Sequence, residues 1–168
     1  AAGSLDSSRW TGAHVKSYSP GNWTAGSNVS IDVKSLLTPL VSGAGFCGGG
    51  NIAFRIRDTS AGVRRYAVSY DDDASSAPRL KVNYTLPTGS TCLRNSRIAS
   101  VRSSNDDAHQ TGSTQTVVAV DSPLNASTTM GLRFTGINVP QGATIRAAKL
   151  KLKASNSPSS RGTITIKA

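Results

Sequence analysis

Five aspartates fall in two tight groups, Asp71-Asp72-Asp73 and Asp106-Asp107. The first group closes a stretch that reads as a strand. The second sits in a polar stretch, residues 103–114, that reads as a loop. Carboxylates crowded on loops suit a hard cation such as Ca²⁺, which takes roughly six to eight oxygen ligands. The competing reading is solvated turn carboxylates, or carboxylates paired with Arg64, Arg65, Arg97 or Arg102. Catalysis has less to work with. His14 and His109 are the only histidines, neither stands in a motif, and there is no G-x-S-x-G elbow to expose a nucleophilic serine. Glycoside hydrolysis by paired carboxylates needs a cleft and a raised pKa, and five loop aspartates are poor evidence for either. The sequence reads as no enzyme.

Binding chemistry is better represented. Lys149, Lys151 and Lys153 share one face of a predicted strand, and Arg55 with Arg57, and Arg79 with Lys81, make two similar pairs. Outward lysines discourage stray strand pairing; the functional reading is a ladder for acidic glycans. Trp10 and Trp23 flank a short strand near residues 14–18. They either cap a core edge or offer a sugar-stacking platform. Cys47 and Cys92 form no CxxC pair, so no zinc knuckle, thioredoxin site or haem attachment is encoded. One disulfide is expected if the chain is secreted; two buried thiols, or pairing with a neighbouring subunit, stay open. Residues 42–51 are glycine-rich, but no Gly-Lys-Ser/Thr follows, so they are no phosphate-binding loop.

These residues need elements to position them. The chain has 168 residues, 37% hydrophobic and 17% charged, which suits one domain with a proper core. It is rich in Gly, Ser and Thr and poor in glutamate, a mix that favours β structure. The net charge of +10 implies either a solvated cationic surface or affinity for a polyanion. The basic residues are spread along strands, and aromatics make up only 5%, which argues against a nucleic-acid site. No run is long enough to span a membrane. No signal peptide is recognisable, and the chain begins at Ala1, so it reads as processed or excised from something longer.

Period-two alternation marks strands at residues 27–33, 52–57, 63–70, 80–85, 97–101, 115–120 and 163–167, and in two runs of the stretch 131–154, where Leu132 and Phe134 alternate with Arg133 and Thr135, and Ala148, Leu150 and Leu152 with Lys149, Lys151 and Lys153. Pro140-Gln141-Gly142 supplies a tight connection. Residues 34–41 fit one or two helical turns, limited by Pro39. Residues 86–96 carry Pro, Gly, Ser and Thr with no apolar period and read as a linker, strongest over 89–96. The expected fold is all-β: a jelly-roll-like sandwich of about ten short strands with one short helical turn near 34–41.

Two stretches of the chain carry a resemblance. NWTAGSNVSIDVKSLLTPLV, GGGNIAFRI and RRYAVSYDDDASSAPRLKVNY, within residues 1–88, resemble the C-terminal half of a β-sandwich domain repeated in large secreted bacterial surface proteins, of the carbohydrate-binding-module-like DNRLRE type. IASVRSSNDDAHQ, MGLRFTGINVPQGATIRAAKLKLKA and TITI, within residues 97–168, resemble its N-terminal half. The halves stand in swapped order. The resemblance implies a secreted or cell-surface location and a structural calcium, although Ala108-His109-Gln110 stands where such modules tend to be acidic.

Each half alone presents one apolar face and unpaired edges. They must close on each other, within the chain or between neighbouring subunits. The expectation drawn from this is a structural subunit or repeat of an extracellular bacterial filament, sheath or adhesin array, joined to copies of itself by β-strand complementation. Residues 1–12 and 163–168 are the expected donors. The alternative is a carbohydrate-binding module for acidic polysaccharide, contacted by Trp10, Trp23, Arg55, Arg57, Lys149, Lys151 and Lys153. A weaker reading is the ancillary module of a cell-wall hydrolase.

Overall fold

The computed structural model describes residues 14–21, 23–43, 47, 49–90, 96–158 and 162–168. The strands are β1 (Val15–Tyr18), β2 (Asn28–Asp32), β3 (Gly50–Asp58), β4 (Arg65–Val68), β5 (Arg79–Thr85), β6 (Ser96–Ser100), β7 (Asp107–Thr111), β8 (Thr114–Thr116), β9 (Asp121–Leu124), β10 (Thr128–Ile137), β11 (Thr144–Lys153) and β12 (Ile164–Lys167), with one helix, α1 (Lys34–Gly43). They form a six-stranded sheet in the order β1-β12-β3-β10-β7-β8, a four-stranded sheet β2-β11-β5-β6, and a two-stranded sheet β4-β9. Every strand pairing is antiparallel. The all-β sandwich expected from the sequence is the fold.

The alternation in β3, β10, β5, β11 and β2 places one apolar row per strand in the space between the two larger sheets. Phe54 of β3 lies opposite Leu132 of β10, and Ile52 opposite Phe134. The Phe54 and Phe134 rings meet edge to face at 6.0 Å, a favoured aromatic geometry. Leu150 of β11 stands between Ile31 and Leu80. All of these side chains are buried. Helix α1 adds Leu36, Leu37 and Val41 to the same core. The Asp32 carboxylate accepts the Lys34 N–H at 2.9 Å and so satisfies one donor of its first turn. The helix runs slightly beyond the expected 34–41 and tolerates Pro39 in its interior.

The Pro140-Gln141-Gly142 connection is a tight turn closed by the Ala143 N–H donating to the Pro140 carbonyl. Gly142 has φ +74°, a left-handed value that a type II turn requires at this position.

The two halves of the chain do not form separate layers. β3, from the first half, lies between β12 and β10 of the second. β11, from the second, lies between β2 and β5 of the first. β4 pairs with β9, again across the halves. The first and last described strands pair with each other. The sandwich therefore closes within one chain. Residues 1–12 and 91–95 lie outside the described residues.

The structure departs from the sequence reading mainly in residues 103–129. Asp107–Thr111 and Thr114–Thr116 make a hairpin whose first strand lies where the sequence suggests a polar loop; the strand expected over 115–120 reaches only to Thr116, with Val118 and Val120 exposed; and Asp121–Leu124 is a strand despite Pro123. The hairpin continues the six-stranded sheet outward; its side chains grow more exposed toward the turn, while Asp107 and Ala108 stay buried. Pro123 is tolerated because β9 has only one partner strand, so its missing N–H can face away from the ladder.

Candidate functional site

Two features stand out: a cationic sheet face and a buried carboxylate recess. The first is the outer face of the four-stranded sheet. Strand parity sends Lys149, Lys151 and Lys153 of β11 outward, together with Arg79 and Lys81 of β5. The register sets Lys149 directly opposite Lys81 and Lys151 directly opposite Arg79. Like charges placed directly across a ladder are destabilising. Edge protection does not explain them, because β11 and β5 are the two interior strands of this sheet.

Neutralisation of this face is partial. Lys149 Nζ lies 3.1 Å from Asp32 Oδ2, and Lys16 Nζ lies 3.9 Å from the other oxygen of the same carboxylate. Lys153 Nζ lies 3.9 Å from Asp73 Oδ2 and donates to Ser76 Oγ at 2.9 Å. Lys81 and Lys151 are exposed and make no ion pair among the described residues. The backbone N–H of Lys34, and then Lys149, hold the Asp32 carboxyl below its ordinary value. Hydrogen bonds from Ser75 and Ser76 lower Asp73 to about 2. Both carboxylates therefore stay ionised beside the lysines. The rest of this face is small or polar, with Asn28, Ser30, Asn83 and Ser100, plus the exposed Ile98. None of its described side chains is aromatic.

The expected glycan contacts do not come together. Arg55 and Arg57 lie on β3, in the other sheet. Arg57 donates to the Ala126 carbonyl. Trp23 is a correction: it is buried, only 6% exposed, its Nε1–H donates to the Tyr66 carbonyl at 3.3 Å, and the Arg65 guanidinium sits 5.9 Å from its ring centroid. A ring enclosed this way caps the core and offers no stacking platform. Trp10 lies outside the described residues. Cys47 is disulfide-bonded, while Cys92 lies outside the described residues.

The five aspartates scatter to separate partners. Asp72 is exposed. Asp73 accepts from Ser75 and faces Lys153. Asp106 Oδ1 accepts from Arg133 Nε at 2.6 Å. Asp71 and Asp107 remain, and both line a recess of about 140 Å³, a volume that includes its mouth open to solvent. Burial pushes the Asp107 carboxyl up to about 6, with the negative charges of Asp71 and Asp106 adding to the effect against a hydrogen bond from Tyr70 N–H. His109 lines the same recess, and burial lowers its pKa. Among the described residues no three His, Cys, Asp or Glu side chains are grouped as a metal cluster.

The sequence reading missed the Asp58–Arg65 pair. It left a trace: in Arg65-Tyr66-Ala67-Val68, parity puts Arg65 on the same face as Ala67.

No family model matches the chain, and neither a curated protein nor a solved structure matches it. The likeness to DNRLRE-type modules rests on the motifs quoted above.

Proposed function

We propose that the protein is a binding module for acidic polysaccharide that works outside the cell. The observation that carries this reading is the pair of opposed like charges, Lys81 with Lys149 and Arg79 with Lys151, on interior strands. A polyanion laid across β5 and β11 would relieve that repulsion. The described residues of this face include none of the aromatics that stack nucleic-acid bases, which favours a charged glycan over a nucleic acid. A disulfide-bonded Cys47 fits an oxidising, extracellular setting. Among the described residues no helix is long and apolar enough to cross a membrane.

Affinity electrophoresis through gels containing a polyuronate or a sulfated glycan tests this. The full chain is expected to be retarded, and the retardation to fade with salt as the screening length shortens from about 10 Å at 0.1 M toward about 3 Å at 1 M. Replacing both Lys81 and Lys151 by alanine removes exposed, unpaired cations and is expected to weaken binding about tenfold with folding unchanged. Asp32→Asn frees Lys149 and Lys16 and is expected to strengthen it. Equal migration with and without every acidic polymer would end this reading, and tighter binding to duplex DNA would redirect it.

A second reading, a structural repeat of an extracellular filament or array, draws support from the sheet edges. β1 ends the six-stranded sheet and β6 the four-stranded one; both are short, and each exposes an apolar side chain, Val15 and Ile98. An edge strand's unpaired backbone groups can accept a strand from a neighbour. The terminal strand β12 cannot be the donor, since it already lies between β1 and β3. Sedimentation velocity across a concentration series is expected to show reversible growth above the 17.4 kDa monomer if this edge pairing operates; a single unchanging species would dispose of it.

A further inference from the structure

We propose that two copies of the chain join edge to edge along β8, antiparallel about a two-fold axis through Gln115, so that their six-stranded sheets become one continuous sheet. β8 ends the six-stranded sheet on the side opposite β1. It pairs with β7 through Thr111 with Thr114, Gln110 with Gln115, and His109 with Thr116. Gly112-Ser113 is thus a two-residue hairpin loop closed by the Thr111–Thr114 pair. Gly112 has φ +57°, the glycine-first pattern of a type II′ turn. Hydrogen bonding alternates along an antiparallel pair. Thr114 and Thr116 direct their backbone groups at β7, so the Gln115 N–H and C=O point away from it. A second β8 centred on the same residue exchanges both bonds there, Gln115 to Gln115. The same register sets Thr114 opposite the partner's Thr116 on both sides of the axis, a favourable cross-strand pair.

Charge selects a second copy as the occupant. The chain carries 19 lysines and arginines and a net charge of +10, so its copies repel. None of those cations lies between Arg102 and Arg133, the stretch that holds β7, β8 and β9. A contact there keeps the cations of the two copies apart. The edge also lacks the usual guards against pairing, which are charges and proline. β1 carries Lys16, β2 carries Asp32 and β6 carries Arg97, whereas Thr114–Val120 holds neither a charge nor a proline. Of the four large apolar side chains exposed among the described residues, two are Val118 and Val120, at 67% and 65%. The bridge that bears them is held at both ends, by Thr116 on β7 and by Asp121 on β4, and the Val120 carbonyl accepts from Ser69 Oγ at 2.9 Å. The register carries Val118 toward the partner's Gly112, which has no side chain to obstruct it. Such a contact is isologous and closes at two copies. It uses none of the cations of the glycan face and goes beyond that reading.

Sedimentation velocity of the full chain over a concentration series, at low and at high salt, tests the pairing. A monomer–dimer equilibrium is expected that stops at twice 17.4 kDa. It is expected to tighten as salt screens the net charge, the opposite of the salt response of glycan binding. Gln115→Pro removes the outward N–H at a place where an edge strand tolerates proline, and Val118→Lys sets a guard charge on the edge. Each is expected to weaken the dimer about tenfold or more. Val15→Lys, on the far edge of the same sheet, is expected to leave it unchanged. Thermal melts followed by far-UV circular dichroism check that each variant folds; if Gln115→Pro does not, Val118→Lys is read in its place. A monomer at every concentration and salt overturns the proposal. So does growth past two copies, a dimer that survives both edge variants, or one that Val15→Lys abolishes.

Discussion

Residues 1–90 and residues 91–168, produced separately, are each expected to lack a cooperative unfolding transition, and to regain one when mixed in equal amounts under reducing conditions. The reason lies in the strand order. Separation strips β3 of both its partners, β12 and β10, and β11 of both of its own, β2 and β5. Ile52, Phe54 and Ile56 then lose the residues that keep them within 2% of full burial, as do Leu150 and Leu152. Each such side chain is worth about 1.5–3 kcal/mol on burial, against a total stability for a domain of about 5–15 kcal/mol. Far-UV circular dichroism with urea titration makes the measurement. A first fragment that alone unfolds cooperatively, with a denaturant slope fitting its size, would mean that the halves are independent bodies.

Arg65→Met is expected to cost about 3–5 kcal/mol, the largest effect of any single side-chain change here. Asp58 is 0% exposed and Arg65 1%, so neither charge reaches water. Arg65 Nη1 donates to Asp58 Oδ2, and Nη2 donates to the Gly162 carbonyl at 3.4 Å. Asp58 Oδ1 accepts the Ser60 N–H at 2.8 Å. Removing the guanidinium leaves a buried, uncompensated carboxylate and takes away the cation over Trp23. The double change Asp58→Asn with Arg65→Met is expected to recover much of the loss, because no bare charge remains. Urea denaturation at neutral pH reads both. A single variant within about 1 kcal/mol of the parent would show that water or another group reaches Asp58.

The sheets were legible wherever burial is one-sided. β2, β3 and β5 alternate without interruption, as does β11 from Ala148 onward, past the irregularity between Ile145 and Ala147, and a one-residue error in any of these runs would turn its whole apolar row to solvent. β7, β8 and β9 were not legible in this way. Asp107-Ala108-His109-Gln110-Thr111 shows no apolar period, because its inward position is filled by a carboxylate. The five aspartates looked like two clusters because they are neighbours in sequence. Parity then sends adjacent residues to opposite faces, so Asp106 meets Arg133 while Asp107 turns into the recess. Trp23 could not be placed from its own neighbours, since its partners Arg65 and Tyr66 stand more than forty positions away. The cationic face was visible as separate rows; that two of them lie side by side on interior strands depends on strand order, which local patterning does not encode.

The pairing of β1 with β12 has a mechanical side. His14 and Ala168 exchange backbone hydrogen bonds, 3.2 and 3.1 Å, so these two positions are adjacent at one corner of the sandwich. A pull between them acts along the rungs of the ladder, since antiparallel bonds lie across the strands. The rungs would open in succession, like a zip, under modest load. Tension on the chain would thus peel β1 away first and leave the cationic face standing, a yielding corner on a stiff plate.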